Sequence, residues 1–431
     1  MNDKLDKQAR DILIANDRGG FTVPTGGLYP YQWNWDSVFV ALGFATFDEA
    51  RACQEIETLF EAQWVNGMVP HIVFRRDDPD YFPGPKVWSA GENWPSSGIT
   101  QPPVVASVVR TLWLASRRDH IRARLADLFP RILAWHRWFH RFRVPSETGA
   151  VTITHPWESG RDNSPEWDHP ARNVDTSDVE PYTRRDLQHA DADMRPTKDD
   201  YDRYITLVAF GRRARWDQQI IAGEGPFRVA DVAMSMILLR AHRDLADLGR
   251  RLGYQAEVDE LETMAATLAK GVNYLWDEGE QTFCSRDLKT GKPSGLVTNG
   301  SFLYAYAGVG NDVQRAAMKA HWQRIREHCQ YTVPSLDPQS PLFDHKRYWR
   351  GPVWLMMNYM IARGFSEIGQ EGWAEQIRAD SRGLVADHGF FEAHSPTTGQ
   401  GTGGKLFSWT AAMWLAWCGP NAECEVAEDV A

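Results

Sequence analysis

Residues Arg347–Ala362 read RYWRGPVWLMMNYMIA. The first half is aromatic and basic and is broken by Gly351 and Pro352. The second half is apolar on every side of any helix it could form. A proline just ahead of an uncharged run predicts a helix start there, and Gly364 predicts its end. A helix that is apolar all round must be buried. The same order, a polar aromatic loop and then an unusually apolar helix, recurs in YQWNWDSVFVALGF (31–44), GITQPPVVASVVRTLW (98–113), GEGPFRVADVAMSMILL (223–239), VTNGSFLYAYAGV (297–309) and KLFSWTAAMWLAW (405–417). Charged amphipathic stretches such as EARACQEIETLFEAQWV (49–65) and GWAEQIRADSRGLVAD (372–387) lie between them. Strand-like segments are short; GAVTITHP (149–156) is the best and GMVPHIVF (67–74) the weaker. Six buried helices alternating with half-exposed ones predict an all-α chain, an inner ring inside an outer ring, hence a six-fold α/α barrel. The polar loops would gather at one end, where a pocket forms.

The longest interruption falls between the second and third inner helices. It holds HPWESGRDNSPEWDHP (155–170) and DVEPYTRRDLQHADADMRPTKDDYDRY (178–204). Pro156, Pro165 and Pro170 forbid a regular helix in the first of these. The expectation is one catalytic domain over 1–431, with 145–215 as a loop-rich inserted cap. Tyr182, Tyr201 and Tyr204 favour an ordered cap over a disordered linker.

Composition narrows the function. The chain has 431 residues, is 43% hydrophobic, and carries a formal net charge of −10 without Lys/Arg runs, which argues against nucleic acid as a partner. No segment has the apolar length of a membrane span, and the start lacks a secretory h-region. Cys53, Cys284, Cys329, Cys418 and Cys424 are scattered, with no Cys-x-x-Cys pair. A cytoplasmic, disulfide-free enzyme is expected. No phosphate loop, zinc motif or Gly-x-Ser-x-Gly elbow is present, and DADMRPTKDD (191–200) lacks the central Gly and closing Glu of a calcium loop.

Tryptophan is in excess, at 19 residues, and many stand beside Pro, Gly or charge: Trp33, Trp35, Trp88, Trp94, Trp157, Trp167 and Trp349. Flat rings next to carboxylates and arginine suit a sugar, whose C–H face stacks while its hydroxyls take hydrogen bonds. Cleaving a glycoside needs one carboxylic acid and one carboxylate. Context narrows the candidates to Asp36, Glu92, Glu158, Asp162, Asp231 and Glu392. Asp231 stands at a helix start and also reads as a cap. Glu392 lies in a Gly/Pro/Thr loop before the sixth apolar helix. Trp157 and Trp167 would desolvate Asp162 and raise its pKa, while Glu158 and Arg161 would fix the loop or sugar hydroxyls.

YQWNWDS, PWESGRDNSPEWD, RYWRGPVW, FFEAHSPTTGQGTGG and FSWTAA, in that order, resemble the glucosidase I-like glycoside hydrolases, family sixty-three, and within it the compact mannosylglycerate and glucosylglycerate hydrolase branch. The likeness runs from about Tyr29 to Trp417. It implies an α/α barrel, inversion at the anomeric carbon, and no metal or other cofactor in the chemistry. It further implies Asp162 as general acid and Glu392 as general base. Tyr29, Trp35, Asp36, Gln101, Trp157, Gly160, Trp349 and Trp354 would line the sugar subsite. In MRPTKDDYDRY (194–204), Arg195 and Tyr201 stand where the glycerate-specific branch holds its acidic aglycone. The alternative is that Arg195 pairs with one of the many nearby aspartates, such as Asp191 or Asp199.

The leading reading is therefore an inverting α-glycosidase for glucosylglycerate or mannosylglycerate, with a small sugar as its partner and its oligomeric state open. Three alternatives stand beside it. One is an α-glucosidase for neutral oligosaccharides, which needs no cation in the aglycone pocket. Another is a sugar epimerase, which needs paired histidines; His155, His345 and His394 are the candidates. The third is a non-catalytic sugar-binding protein.

Overall fold

The computed structural model describes residues 2–189 and 191–422. It is mostly helical, and its short strands form antiparallel pairs and one three-stranded antiparallel sheet. Each apolar run becomes a buried helix: Asn34–Ala45, Val105–Ala115, Val232–Leu252, Leu303–Tyr306, Leu355–Glu367 and Ser408–Met413, the last continuing as a π-turn over Trp414–Cys418. Each of the six packs on the next in chain order, and the last packs on the first. The amphipathic helices Glu49–Glu61, Asp119–Ala126, Gln255–Tyr274 and Glu371–His388 each pack on the buried helix that precedes them. The buried apolar residues form one continuous cluster running from Ala9 to Cys418.

Local chemistry sets the helix starts. Asp231 accepts the backbone N–H of Ala233 and Met234 at 2.7 and 3.1 Å and so caps Val232–Leu252. By spacing, Val229, Val232, Met236 and Leu239 read as one helical face, and this is corrected at its first member: Val229–Ala230 is a strand, paired with Thr152–Ile153 and Arg286–Asp287. The Leu355–Glu367 helix passes through Gly364 instead of stopping there; a Cβ at 364 would lie 2.1 Å from the Tyr306 backbone N, so the glycine lets this helix lie against the Leu303–Tyr306 helix. Ile72–Val73 pairs with Gln32–Trp33 at the mouth of the first buried helix.

The segment of three prolines folds as two 3₁₀ turns, Pro156–Ser159 and Pro165–Trp167, and the short helix Asp168–Ala171. Each 3₁₀ turn has its proline in the first position, where the missing N–H costs nothing. Further on, Thr197 and Asp200 form a reciprocal capping box that starts the helix Lys198–Arg213. Cys53, Cys284, Cys329 and Cys418 are free thiols; Cys424 lies outside the described residues. Among the described residues no helix is long and apolar enough to cross a membrane, and no group of three or more His, Cys, Asp or Glu side chains is placed to hold a metal ion.

Candidate active site

Glu392 lies on a strand. Phe391–His394 pairs with Gly401–Lys405, with an irregularity between Phe391 and Ala393. The sequence reads as loop because GTGGK has no alternation of apolar and polar residues and three glycines. The irregularity serves the carboxylate. Gly403 adopts φ +72°, and the next N–H, of Gly404, donates to Glu392 Oε2 at 2.9 Å. Tyr29 donates its hydroxyl to Oε1 at 3.0 Å, and the Trp409 indole N–H holds the Glu392 backbone carbonyl at 2.9 Å. The side chain is 1% exposed.

Asp162 is carried by the proline-stiffened loop. Gly160 turns the chain at φ +67°, and a Cβ there would sit 2.6 Å from the Trp35 ring, so only glycine lets the loop lie on that indole. The Asp162 carbonyl accepts the Tyr204 hydroxyl at 2.8 Å. Burial pushes the Asp162 carboxyl up to about 7; the Arg195 charge opposes the rise and the Glu392 charge adds to it. Asp36, in the first turn of Asn34–Ala45, is held well above the ordinary carboxyl range by burial and then by the charges of Glu392 and Asp162. The three acids therefore sense one another in one cluster.

Arg195 joins them. Its Nε donates to Asp186 at 3.0 Å, its guanidinium lies 4.3 Å from the centre of the Tyr348 ring, and its Nη1 is 3.8 Å from Glu392 Oε2. That Nη1 is buried and makes no hydrogen bond. Asp186 is also gripped by Arg184 at 2.6 and 3.0 Å. The acid that anchors Arg195 is thus Asp186, neither Asp191 nor Asp199.

Aromatic rings wall this cluster. Trp349 and Trp354 stack with centroids 3.9 Å apart at 4°, Trp35 stacks on Trp349 at 6.2 Å, and Trp409 stands edge-on to Trp35 and Trp354. The Gln101 side-chain oxygen Oε1 accepts the Trp35 backbone N–H at 3.3 Å. Trp157 packs on His71, Tyr201 and Tyr204, and the Tyr201 hydroxyl donates to the Phe82 carbonyl at 3.4 Å.

Other candidates lie elsewhere. Glu92 accepts the Val65 N–H on the surface. Glu158 is locked to Arg143 at 2.8 Å and holds the Thr154 N–H, so it serves structure. Arg161 bridges Glu166 at 2.5 Å and Asp231 at 3.1 Å, pinning the loop to the third buried helix, and Trp167 lies against the Arg161 guanidinium. His155 and His394 are tied to backbone groups and His345 to Ser395, so none is paired with another. Tyr348, Asp186, Tyr204 and Gly404 were not legible as site residues, because their part depends on contacts between distant segments.

A carboxyl pushed up towards neutrality, near one held by hydrogen bonds and flanked by an arginine, can supply the acid–base chemistry that cleaves glycosidic bonds. The comparisons with known proteins agree on the class: the chain is a glycoside hydrolase. Residues 29–410 match the mannosylglycerate hydrolase MGH1-like glycoside hydrolase domain, and the chain belongs to that family. It is 45% identical to a mannosylglycerate hydrolase of Thermus thermophilus, over 95% of this chain and 99% of that one. It is 35% identical to a glucosylglycerate hydrolase of Mycolicibacterium hassiacum, over 96% and 98%. A crystal structure of the family sixty-three mannosylglycerate hydrolase from Thermus thermophilus, in complex with Tris and D-glycerate, superposes with a TM-score of 0.92 at 45% identity, covering 96% of this chain and 99% of that one.

Proposed function

We propose that this glycoside hydrolase splits a small α-glycoside of glycerate, mannosylglycerate or glucosylglycerate, with inversion. Asp162 is the general acid: its proton passes to the glycosidic oxygen as the bond to the anomeric carbon breaks. Glu392 is the general base: it takes a proton from the water that attacks the opposite face. Asp162 ends ionised and Glu392 protonated, and exchange with solvent resets them. Tyr29 and the Gly404 N–H hold the Glu392 carboxyl in place. Asp36, Gln101 and the Trp35, Trp349 and Trp354 rings hold the sugar, while Trp157 and Gly160 shape the wall beside it. Arg195 and Tyr201 face the aglycone.

The observation that carries the acidic aglycone is Arg195 Nη1, buried beside the carboxyls with no hydrogen bond of its own. An unmatched buried guanidinium donor is costly and asks for an anion. The relatives named as mannosylglycerate and glucosylglycerate hydrolases support the same choice. A neutral aglycone would leave that donor bare.

The six apolar helices are the inner ring of an α/α barrel, supported by the closed cycle of neighbours from the first helix to the sixth. Residues 145–215 are the cap of a single catalytic unit spanning 1–431. A cytoplasmic setting fits the free thiols.

The test compares Arg195→Ala on a glycosylglycerate and on a neutral α-glucoside. A charge-assisted hydrogen bond is worth roughly 1.5–3 kcal/mol, so KM for the acidic substrate should rise about 10- to 150-fold and the neutral one should change little. Equal losses on both substrates would remove the glycerate assignment.

A further inference from the structure

Beside the acid-bearing loop is a cavity of about 270 Å³ whose lining includes none of Asp36, Asp162, Arg195 and Glu392. Three segments build it: the loop from Asn163 to Arg172, the start of the Lys198–Arg213 helix with Arg203 and Tyr204, and the Arg347–Arg350 turn ahead of the fifth buried helix. Four arginines line it against three aspartates, Asp168, Asp199 and Asp200, in a chain whose overall charge is −10. Arg350 is matched, forming a fork with Asp168 at 2.5 and 2.9 Å. Arg203 reaches Asp200 only at 3.7 Å, and Asp200 is already spent on the Thr197 capping box. Arg172 and Arg347 have no ion-pair partner among the described residues.

The hydrogen-bond inventory of the lining is one-sided. Asn163 Nδ2, Arg203 Nε, Arg347 Nε and Arg350 Nε are buried donors without a partner, and no lining acceptor is in that condition. Asn163 is 2% exposed. The guanidinium charge of Arg172 and Arg347, without an ion-pair partner among the described residues, complements a group made of acceptor oxygens. The volume is below the roughly 300–1,000 Å³ of ordinary ligand pockets, which suits a small ion better than a sugar chain.

We propose that this cavity is a binding site for a small oxyanion, phosphate or a short carboxylate, separate from the catalytic centre. Occupancy acts on the acid loop through contacts already present. Asn163 adjoins Asp162, Tyr204 holds the Asp162 carbonyl, and Arg350 adjoins Trp349. A ligand that ties the three segments together therefore stiffens the mount of Asp162. This inference does not rest on the identity of the glycoside cleaved.

The test is calorimetric titration of the full chain with inorganic phosphate and, separately, with D-glycerate, against sodium chloride at matched ionic strength. Saturable binding of phosphate, unchanged in Asp162→Asn and weakened about 10- to 150-fold in Arg347→Gln, is the expected result. Binding of glycerate with the same response to Arg347→Gln would assign the site to carboxylates instead of phosphate. Arg172→Gln, an exposed position, gives a second variant if Arg347→Gln misfolds, with loss in the same direction. No saturable binding of either anion, or binding that both arginine variants leave intact, overturns the proposal.

Discussion

Gly403→Ala puts the account of Glu392 under direct strain. A Cβ at 403 would lie 2.2 Å from Glu392 Oε2 and 2.9 Å from its Cβ and Cδ, at a backbone φ of +72°. Left-handed backbone costs an alanine roughly 1–2 kcal/mol. The contact cannot be absorbed by the strand alone, so the carboxylate has to turn away. It then gives up the Gly404 N–H at 2.9 Å, and the Tyr29 hydroxyl at 3.0 Å shifts with it. Displacing a catalytic group by about 1 Å can cost ~10²-fold in rate. The expected outcome is a fall in kcat of about 10²-fold or more, approaching Glu392→Gln, with a melting temperature lowered by a few degrees and an unchanged helical circular dichroism spectrum. Steady-state kinetics on a glycosylglycerate and a thermal melt read both. A variant melting lower but turning over within about twofold of the parent would show that the position of Glu392 does not matter to the reaction.

Asp162→Asn and Glu392→Gln should each lower turnover by about 10²- to 10⁴-fold with the fold intact, as loss of a general acid or base does; near-parental rates on the true substrate would strike either residue from its role. The basic limb of kcat/KM against pH should fall near 7, since Asp162 must be protonated to act and is pushed up to about 7. Because the Arg195 charge opposes that rise, the limb should move to higher pH in Arg195→Gln, and a shift the other way would contradict the electrostatics. Acid should destabilise the fold through a buried histidine chain. His242 contacts His136 at 2.8 Å and His140 at 2.9 Å, and burial lowers the latter two from 6.5 to about 3 and about 4. Folded-state pKa values below the unfolded one give stability that is present above pH 6.5 and lost as pH falls towards those values. Melting temperature measured from pH 7 to 4 should drop, and His140→Gln should flatten the drop.

The helices were legible because burial on all sides leaves an unbroken apolar run, and a polar or glycine- and proline-bearing stretch ahead of most runs marks where they begin. Glu392 was legible as a residue but not as part of a strand, because Gly401, Gly403 and Gly404 erase the alternation by which strands are read. Val229 was assigned to the wrong element for a related reason: a two-residue strand is too short for any period to show. The anchoring of Arg195 by Asp186 could not be chosen from a segment holding seven aspartates between Asp178 and Tyr204. Spacing along the chain does not say which acid an extended loop folds back upon. The Arg161–Glu166–Asp231 bridge was hidden more deeply, since it joins the acid loop to a helix start some 70 residues away.

Following purified protein with mannosylglycerate and with glucosylglycerate by ¹H NMR, from the first seconds onward, decides whether this enzyme is an inverting glycosylglycerate hydrolase. Free glycerate and hexose should appear together, the hexose should be seen first as the β-anomer and only later mutarotate, and Asp162→Asn should abolish both signals. Release of the α-anomer first, or cleavage of neutral α-glucosides with both glycerates left intact, would contradict that assignment.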